Sequence, residues 1–328
     1  MMRARNAALL FGFCTITFLL SGCSINKMAT RAVANALTGA GAGTVFTGDS
    51  DPRLVGDALP FAIKMYEALL DTQPDHQGLI LTTGSLFVMY ANAFVQGPAE
   101  MLPRTEYRER REERERARLL YLRGVGILRS GLDKKYPGFN EAGREGKLDA
   151  YLARLKKEDV PLLYWTVAAT LSAYSLDPFN LELGMRIPEL SAMIQRAYEL
   201  DPDFNGGAID DFYILFYGSL PPFLGGDKSK ADIHFKLAVE KSGGMSAGPY
   251  ISYAQAVSIP AQDYETFKEY LETALAVDPD ANPSNRLVNI ISQRKAQYLL
   301  DNASNYFLLD DDEDWDDEDW DDEDWGDE

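Results

Sequence analysis

The chain offers few side chains for covalent or metal chemistry. It has two cysteines, Cys14 and Cys23, and two histidines, His76 and His234. Two histidines are too few for a histidine-rich metal cluster. No His-Glu-x-x-His pair occurs. Gly225-Gly226-Asp227-Lys228-Ser229 contains a Lys-Ser pair without the preceding glycine spacing that lets a loop cradle phosphates. No Gly-x-Ser-x-Gly nucleophile elbow is expected. Carboxylate pairs such as Asp210-Asp211 are too common to imply acid–base catalysis without a pocket around them. The residues therefore point to binding rather than catalysis, with no cofactor. A hydrolase or transferase is the alternative from another class.

Cys23 is the residue with a chemical role. Met1-Met2-Arg3-Ala4-Arg5 is basic, Ala7 to Leu20 is apolar, and Leu20-Ser21-Gly22-Cys23 closes the stretch with small residues. That order is the order of an export signal, and the apolar run falls short of the roughly 20 residues a spanning helix needs. The last four residues resemble a lipobox. On this reading residues 1–22 are a signal peptide, Cys23 is acylated, and the chain is held to a membrane by its acyl groups. Ser24, in place of an Asp, fits the outer membrane and its periplasmic face. Cys14 leaves with the signal, so the mature chain has no free thiol.

The elements that follow read as helices. Residues 23–50 form an anchor and an Ala/Gly/Thr-rich spacer, with Gly39-Ala40-Gly41-Ala42-Gly43 interrupting any helix begun before it. From Asp51-Pro52, Leu59, Ala62, Tyr66 and Leu69 recur at helical spacing. A second, apolar helix over 78–94 is predicted to be buried, with Gly97-Pro98 as its break. A long helix over 104–134 carries alternating Glu and Arg on a solvated face, with Glu106 and Arg110, and Glu112 and Arg116, four apart. Further helices are predicted over 149–158, 160–176, 188–200, 208–217, 228–241, 263–277 and 284–300, punctuated by Pro and Gly.

Ala231, Phe235 and Ala238 have the spacing of a tetratricopeptide second helix. Ala197 to Pro202 and Ala274 to Pro279 both place Ala five residues before Pro. The predicted fold is all-α, an irregular tetratricopeptide-like helical repeat array over 51–305.

The net charge of −19 is concentrated at the end. Residues 310–328 carry fifteen acidic and no basic side chains, which leaves −4 on the rest. Residues 306–328 are read as a disordered acidic tail, because three tryptophans among like charges cannot bury enough apolar surface to offset ordering. A mildly acidic body with an acidic tail argues against a nucleic-acid partner.

The combination of Asp51-Pro52, Ala58-Leu59-Pro60-Phe61, Gln73-Pro74-Asp75-His76, Tyr90-Ala91-Asn92-Ala93-Phe94, Leu176-Asp177-Pro178, Gly225-Gly226-Asp227 and the Ala274 to Pro279 helix end resembles the TatT family. These are the helical lipoproteins associated with TRAP transporters, the tripartite ATP-independent periplasmic systems. The resemblance implies a periplasmic accessory that binds a solute-binding protein, forms a homo-oligomer such as a trimer, and passes an apolar or organic-acid ligand through a cavity or pore. A structural envelope scaffold built from the same repeats is the alternative. Aromatic and polar groups within the apolar helices give two candidate pocket clusters: Phe87, Tyr90, Asn92 and Phe94, and Tyr164, Trp165, Tyr174 and Asn180.

Overall fold

A computed structural model describes residues 28, 30–39, 41 and 43–308. The signal, Cys23 and the acidic residues 310–328 lie outside the described residues. Those described form helices and no strand.

Asp51 starts the first long helix, α1 (Pro52–Thr72), by accepting at Oδ1 from the N–H groups of Arg53 (2.9 Å) and Leu54 (3.2 Å). These are donors that no carbonyl inside the helix can take, and Pro52 costs nothing at a position whose N–H has no partner. Val55, Leu59, Ala62, Ile63 and Tyr66 form its buried face.

His76 starts α2 (Gln77–Glu100). Its Nδ1 accepts from Leu79 N–H at 3.1 Å, which leaves the proton on Nε2, 2.9 Å from Asn35 Oδ1. One of the two histidines is thereby assigned to capping.

Helix α2 has 24 residues and a mean hydropathy of 1.5 over its most apolar window, enough in length and composition to cross a membrane. Here it is a core helix, packed against α1, α3 (Tyr107–Lys135) and α4 (Val160–Leu176). Close approach to α3 depends on small residues: a Cβ at Gly84 would lie 2.4 Å from Leu128 Cγ.

The expected break at Gly97-Pro98 does not occur. Residues Ala91–Gln96 form a wide π-helical turn and the helix continues to Glu100. Pro98 enters at the start of the final turn, where its missing N–H is tolerated. The chain breaks instead at 101–103.

In α3 the buried face is Ala117, Tyr121, Gly124, Leu128 and Leu132, while Leu119 is 55% exposed. The ion pairs along its polar half also differ from the expected ones. Arg116 pairs with Glu113 at 2.8 Å and Arg118 with Glu115 at 2.7 Å, each three residues apart.

Helix α5 (Ile187–Leu200) packs on α4, and α6 (Ala208–Ser219) packs on α7 (Lys228–Lys241). Ala231, Phe235 and Ala238 are all buried, in one cluster with Ile214 of α6. A helix absent from the sequence reading follows: α8 (248–261), with a second π-helical turn at Ala254–Ser258. Its Gly, Ala, Ser and Pro content hides helical periodicity, although Pro249 is a start signal.

Helices α9 (Tyr264–Ala276) and α10 (Arg286–Asp301) complete the array. Its end then meets its beginning. Leu287 and Ile291 of α10 pack into the cluster formed by Val55, Leu59 and Phe87, and Arg286 Nη1 donates to Gly48 O at 3.0 Å. Lys295 Nζ lies 3.4 Å from Glu100 Oε2, and Arg104 Nη2 donates to Asn305 O at 3.3 Å.

Packing also extends past both ends of the predicted 51–305 body. Ala34, in the helical stretch 30–38, is fully buried, and Tyr66 OH donates to Leu37 O at 2.9 Å. Phe307 is buried against Phe267, with ring centroids 4.8 Å apart.

Candidate ligand-binding sites

The first predicted cluster lies along α2 and divides into two environments. Phe87 is buried in the α1–α2 core with the Arg123 guanidinium 5.0 Å from its ring. Tyr90 and Phe94, four apart, stack at 6.0 Å and are half-buried. The Tyr90 hydroxyl accepts from Arg116 Nη2 at 3.3 Å, and Phe94 lies where a side chain at Gly56 would collide. Asn92 is exposed at the start of the π-helical turn, close to the Tyr121 hydroxyl, which donates to Gln96 Oε1 at 2.7 Å.

In the second cluster, Tyr164 and Trp165 meet edge to face at 5.3 Å, with Phe204 5.2 Å from Tyr164. Tyr174 lies further along α4, against Gly184. Asn180 caps the turn Leu181–Gly184, accepting from Leu183 N–H at 3.1 Å and donating to Asp177 at 3.1 Å. Among the described contacts, none joins Tyr174 or Asn180 to the Tyr164–Trp165 pair.

Tyr164 also feels the charge of an acid on α6. Burial, and after it the charge of Asp211, pushes its phenol above the ordinary value. Asp211 itself is pushed up to about 6, by burial first and by Asp210 as well, while a hydrogen bond with Ser252 acts in the other direction. Its Oδ1 is buried without a hydrogen-bond partner.

An acid whose folded-state pKa is raised binds its proton more tightly when folded. Stability therefore falls as pH rises from the unfolded value near 4 through about 6, and levels off above. Asp211→Asn removes this charge. The variant is expected to match the parent near pH 4 and to melt higher above pH 6.5. Parallel melting profiles across that range would refute the assignment.

Asp210, its neighbour, is fully buried and points the other way, toward α7. Its Oδ1 is 2.7 Å from His234 Nδ1 and its Oδ2 is 2.8 Å from Lys241 Nζ. His234 lies among the rings of Tyr213, Tyr217 and Tyr198, at 4.5, 5.6 and 5.8 Å. The second histidine is thus also held inside a packed network.

One pentapeptide, Gly244-Met245-Ser246-Ala247-Gly248, does carry the Gly-x-Ser-x-Gly spacing. It joins helix to helix rather than strand to helix, and among the described residues Ser246 has no hydrogen bond to a histidine. The strained strand-to-helix turn that exposes a nucleophile is therefore lacking.

Two concavities were not anticipated. One, of about 220 Å³, lies where α10 returns to the α2–α3 connection and is lined by Glu100, Arg110, Arg114, Gln255, Lys295 and Tyr306, among others. The other, of about 460 Å³, is a more open groove between α7 and α9, where Phe235 and Tyr270 stack at 4.6 Å. The first escaped the sequence reading because its members are up to 206 positions apart and its arginines were assigned to a solvated face.

A family model for the TRAP transporter T-component matches residues 48–307, the whole of the closed array. The chain belongs to the TRAP transporter T-component family. It is also 35% identical over 305 residues to a protein of Treponema pallidum (strain Nichols) that is described only as uncharacterized. That match covers 88% of this chain and 94% of the other. Membership in the T-component family supports an accessory role in TRAP transport and suggests a bacterial envelope location. The family is one of transport components, not a known enzyme family.

Proposed function

We propose that this T-component is a lipid-anchored periplasmic accessory that binds the solute-binding protein of a TRAP transporter and helps to hand over its ligand. The observation that carries the reading is the extent of the family match. It runs from Gly48 to Phe307, the same stretch that packs into one closed array. Cys23 holds the chain at the periplasmic face of the outer membrane, and the receptor docks on the helical body. A homo-oligomer, such as a trimer, is the assembly on this reading. Tyr90, Phe94, Tyr164, Trp165 and Tyr174 are the members of the predicted set with half-buried rings able to meet a ligand, and the apolar or organic-acid class of that ligand follows from the resemblance.

Affinity purification of the intact lipoprotein from its native envelope, with mass spectrometry of co-purifying proteins, is expected to recover a periplasmic solute receptor. Recovery of envelope proteins without such a receptor would count against the transport role. Cys23→Ser is expected to abolish metabolic acyl labelling while leaving helicity unchanged, because the described body lies downstream of that residue. Equal labelling of parent and variant would reject the anchor.

A further inference from the structure

The cleft at the closure of the array has an electrostatic imbalance. Arg110 and Arg114, four apart on the first turns of α3, share it with Lys295 of α10 and one acid, Glu100. Both oxygens of that acid are already engaged: Oε1 accepts from Gln96 Nε2 at 2.7 Å, and Oε2 faces Lys295 at 3.4 Å. Arg110 gives its Nη2 to Leu102 O, but its Nε is buried with no acceptor. Arg114 is half-buried and makes no ion pair or hydrogen bond among the described residues. Three cations against one anion leave the lining with two unmatched positive charges, beside a buried donor that native interiors seldom leave unsatisfied. The hydroxyl-bearing Tyr298 and Tyr306, and the apolar Met101 and Leu299, complete the walls.

The backbone marks the same place. Among the described residues there are two π-helical turns. One ends four residues before Glu100, and the other contains Gln255, which lines the cleft. Such turns insert a residue into a helix and recur where side chains must be re-aimed at a site.

We propose that this cleft is a binding site for a small oxyanion of about two negative charges, a carboxylate or a phosphate, held by Arg114, Arg110 Nε and Lys295. Guanidinium groups present paired donors that match the oxygens of either group. The proposal deepens the transport reading and rests on it only for the role of the bound solute. Direct binding tests it independently, so its failure would leave receptor capture as a separate question.

Titration calorimetry on the full chain, with succinate, inorganic phosphate and neutral succinamide as probes, is the experiment. One of the two anions is expected to bind with one-to-one stoichiometry and to weaken as salt is raised, while succinamide does not bind. Succinate alone assigns a carboxylate, phosphate alone a phosphate. Arg114→Gln is expected to weaken binding at least tenfold without changing the melting temperature of the free protein, because Arg114 has no partner to lose. Lys295→Gln provides a second variant from the opposite wall. Absence of binding by both anions at millimolar concentration, or binding unchanged in both variants, overturns the proposal.

Discussion

Glu189→Ala is expected to lower the unfolding free energy by about 3–5 kcal/mol, the usual cost of leaving one member of a buried ion pair alone. Glu189 on α5 lies 2.8 Å from Arg129 on α3, and both side chains are buried. The pair therefore ties together two helices that each pack against α4. Arg129 has one other side-chain contact, Asn140 Oδ1 at 3.4 Å, and its Nε and Nη2 are buried without acceptors. Arg186 is 3.7 Å from the same carboxylate, and its own pKa is lowered by burial first and by Arg129 next. Without Glu189, two guanidinium groups would remain close together in a poorly solvated place.

The surroundings leave little room to adapt. A Cβ at Gly143 would lie 2.3 Å from Glu189 Oε1, so the carboxylate occupies space that only glycine concedes. The double variant Arg129→Met, Glu189→Leu removes both charges and is expected to recover most of the loss, since apolar replacements spare the desolvation cost of both ions. Urea unfolding of the parent, Arg129→Met, Glu189→Leu and the double variant measures the coupling, with Glu189→Ala unfolded alongside. A loss below about 1 kcal/mol in Glu189→Ala would mean that water reaches the pair and that it behaves as a surface contact.

That pair shows why parts of the molecule were readable from sequence and others were not. Helices over 160–176 and 228–241 match the predicted bounds because local chemistry sets them: Pro161 in a first turn, Asp227 accepting from Lys230 N–H at 3.3 Å, and Gly243-Gly244 after the last turn. Burial of Ala197, Ala231, Ala238 and Ala274 was likewise legible, because close helix contact requires small residues at fixed spacing.

What depended on tertiary context was not legible. Gly97-Pro98 reads as a stop unless the preceding turn widens, and α8 lacks a strong apolar period because it is buried on several sides. In the candidate sites, Tyr90 and Phe94 come together because four residues make one helical turn. Nothing local could bring Arg110 to Lys295, since they share one cleft only once the array has closed. Phe87 shows the converse limit: an aromatic on an apolar helix faces core or cavity according to the phase of its neighbours, and here it faces α1.

Asp210→Ala is expected to cost about 3 kcal/mol or more at pH 7, by the same rule for a broken buried pair. Asp210 accepts from both His234 and Lys241, so its removal strips two groups of α7 from their partner on α6 in one step. Lys241 keeps Pro202 O at 2.7 Å and the more distant Asp203 at 3.6 Å, with the Tyr198 ring 4.8 Å away, which places the loss at the lower end of the range. Burial acts to lower the pKa of Lys241, but the hydrogen bond and charge of Asp210 act against it, and the net shift is upward. A lysine with a raised folded-state pKa contributes stability that is fully present below its unfolded value near 10.4. That contribution is lost as pH rises through the higher folded value. The gap between parent and Asp210→Ala should therefore be constant from pH 7 to pH 9 and narrow above pH 10.5, as the parent loses the pairing the variant never had. Asp210→Asn retains an acceptor for His234 but no charge for Lys241, and should fall between the two at pH 7. Urea unfolding at pH 7, 9 and 11 tests this ordering. A gap that stayed the same at pH 11 would assign the stabilisation to the packing of His234 among its three tyrosines rather than to the Asp210–Lys241 charge pair.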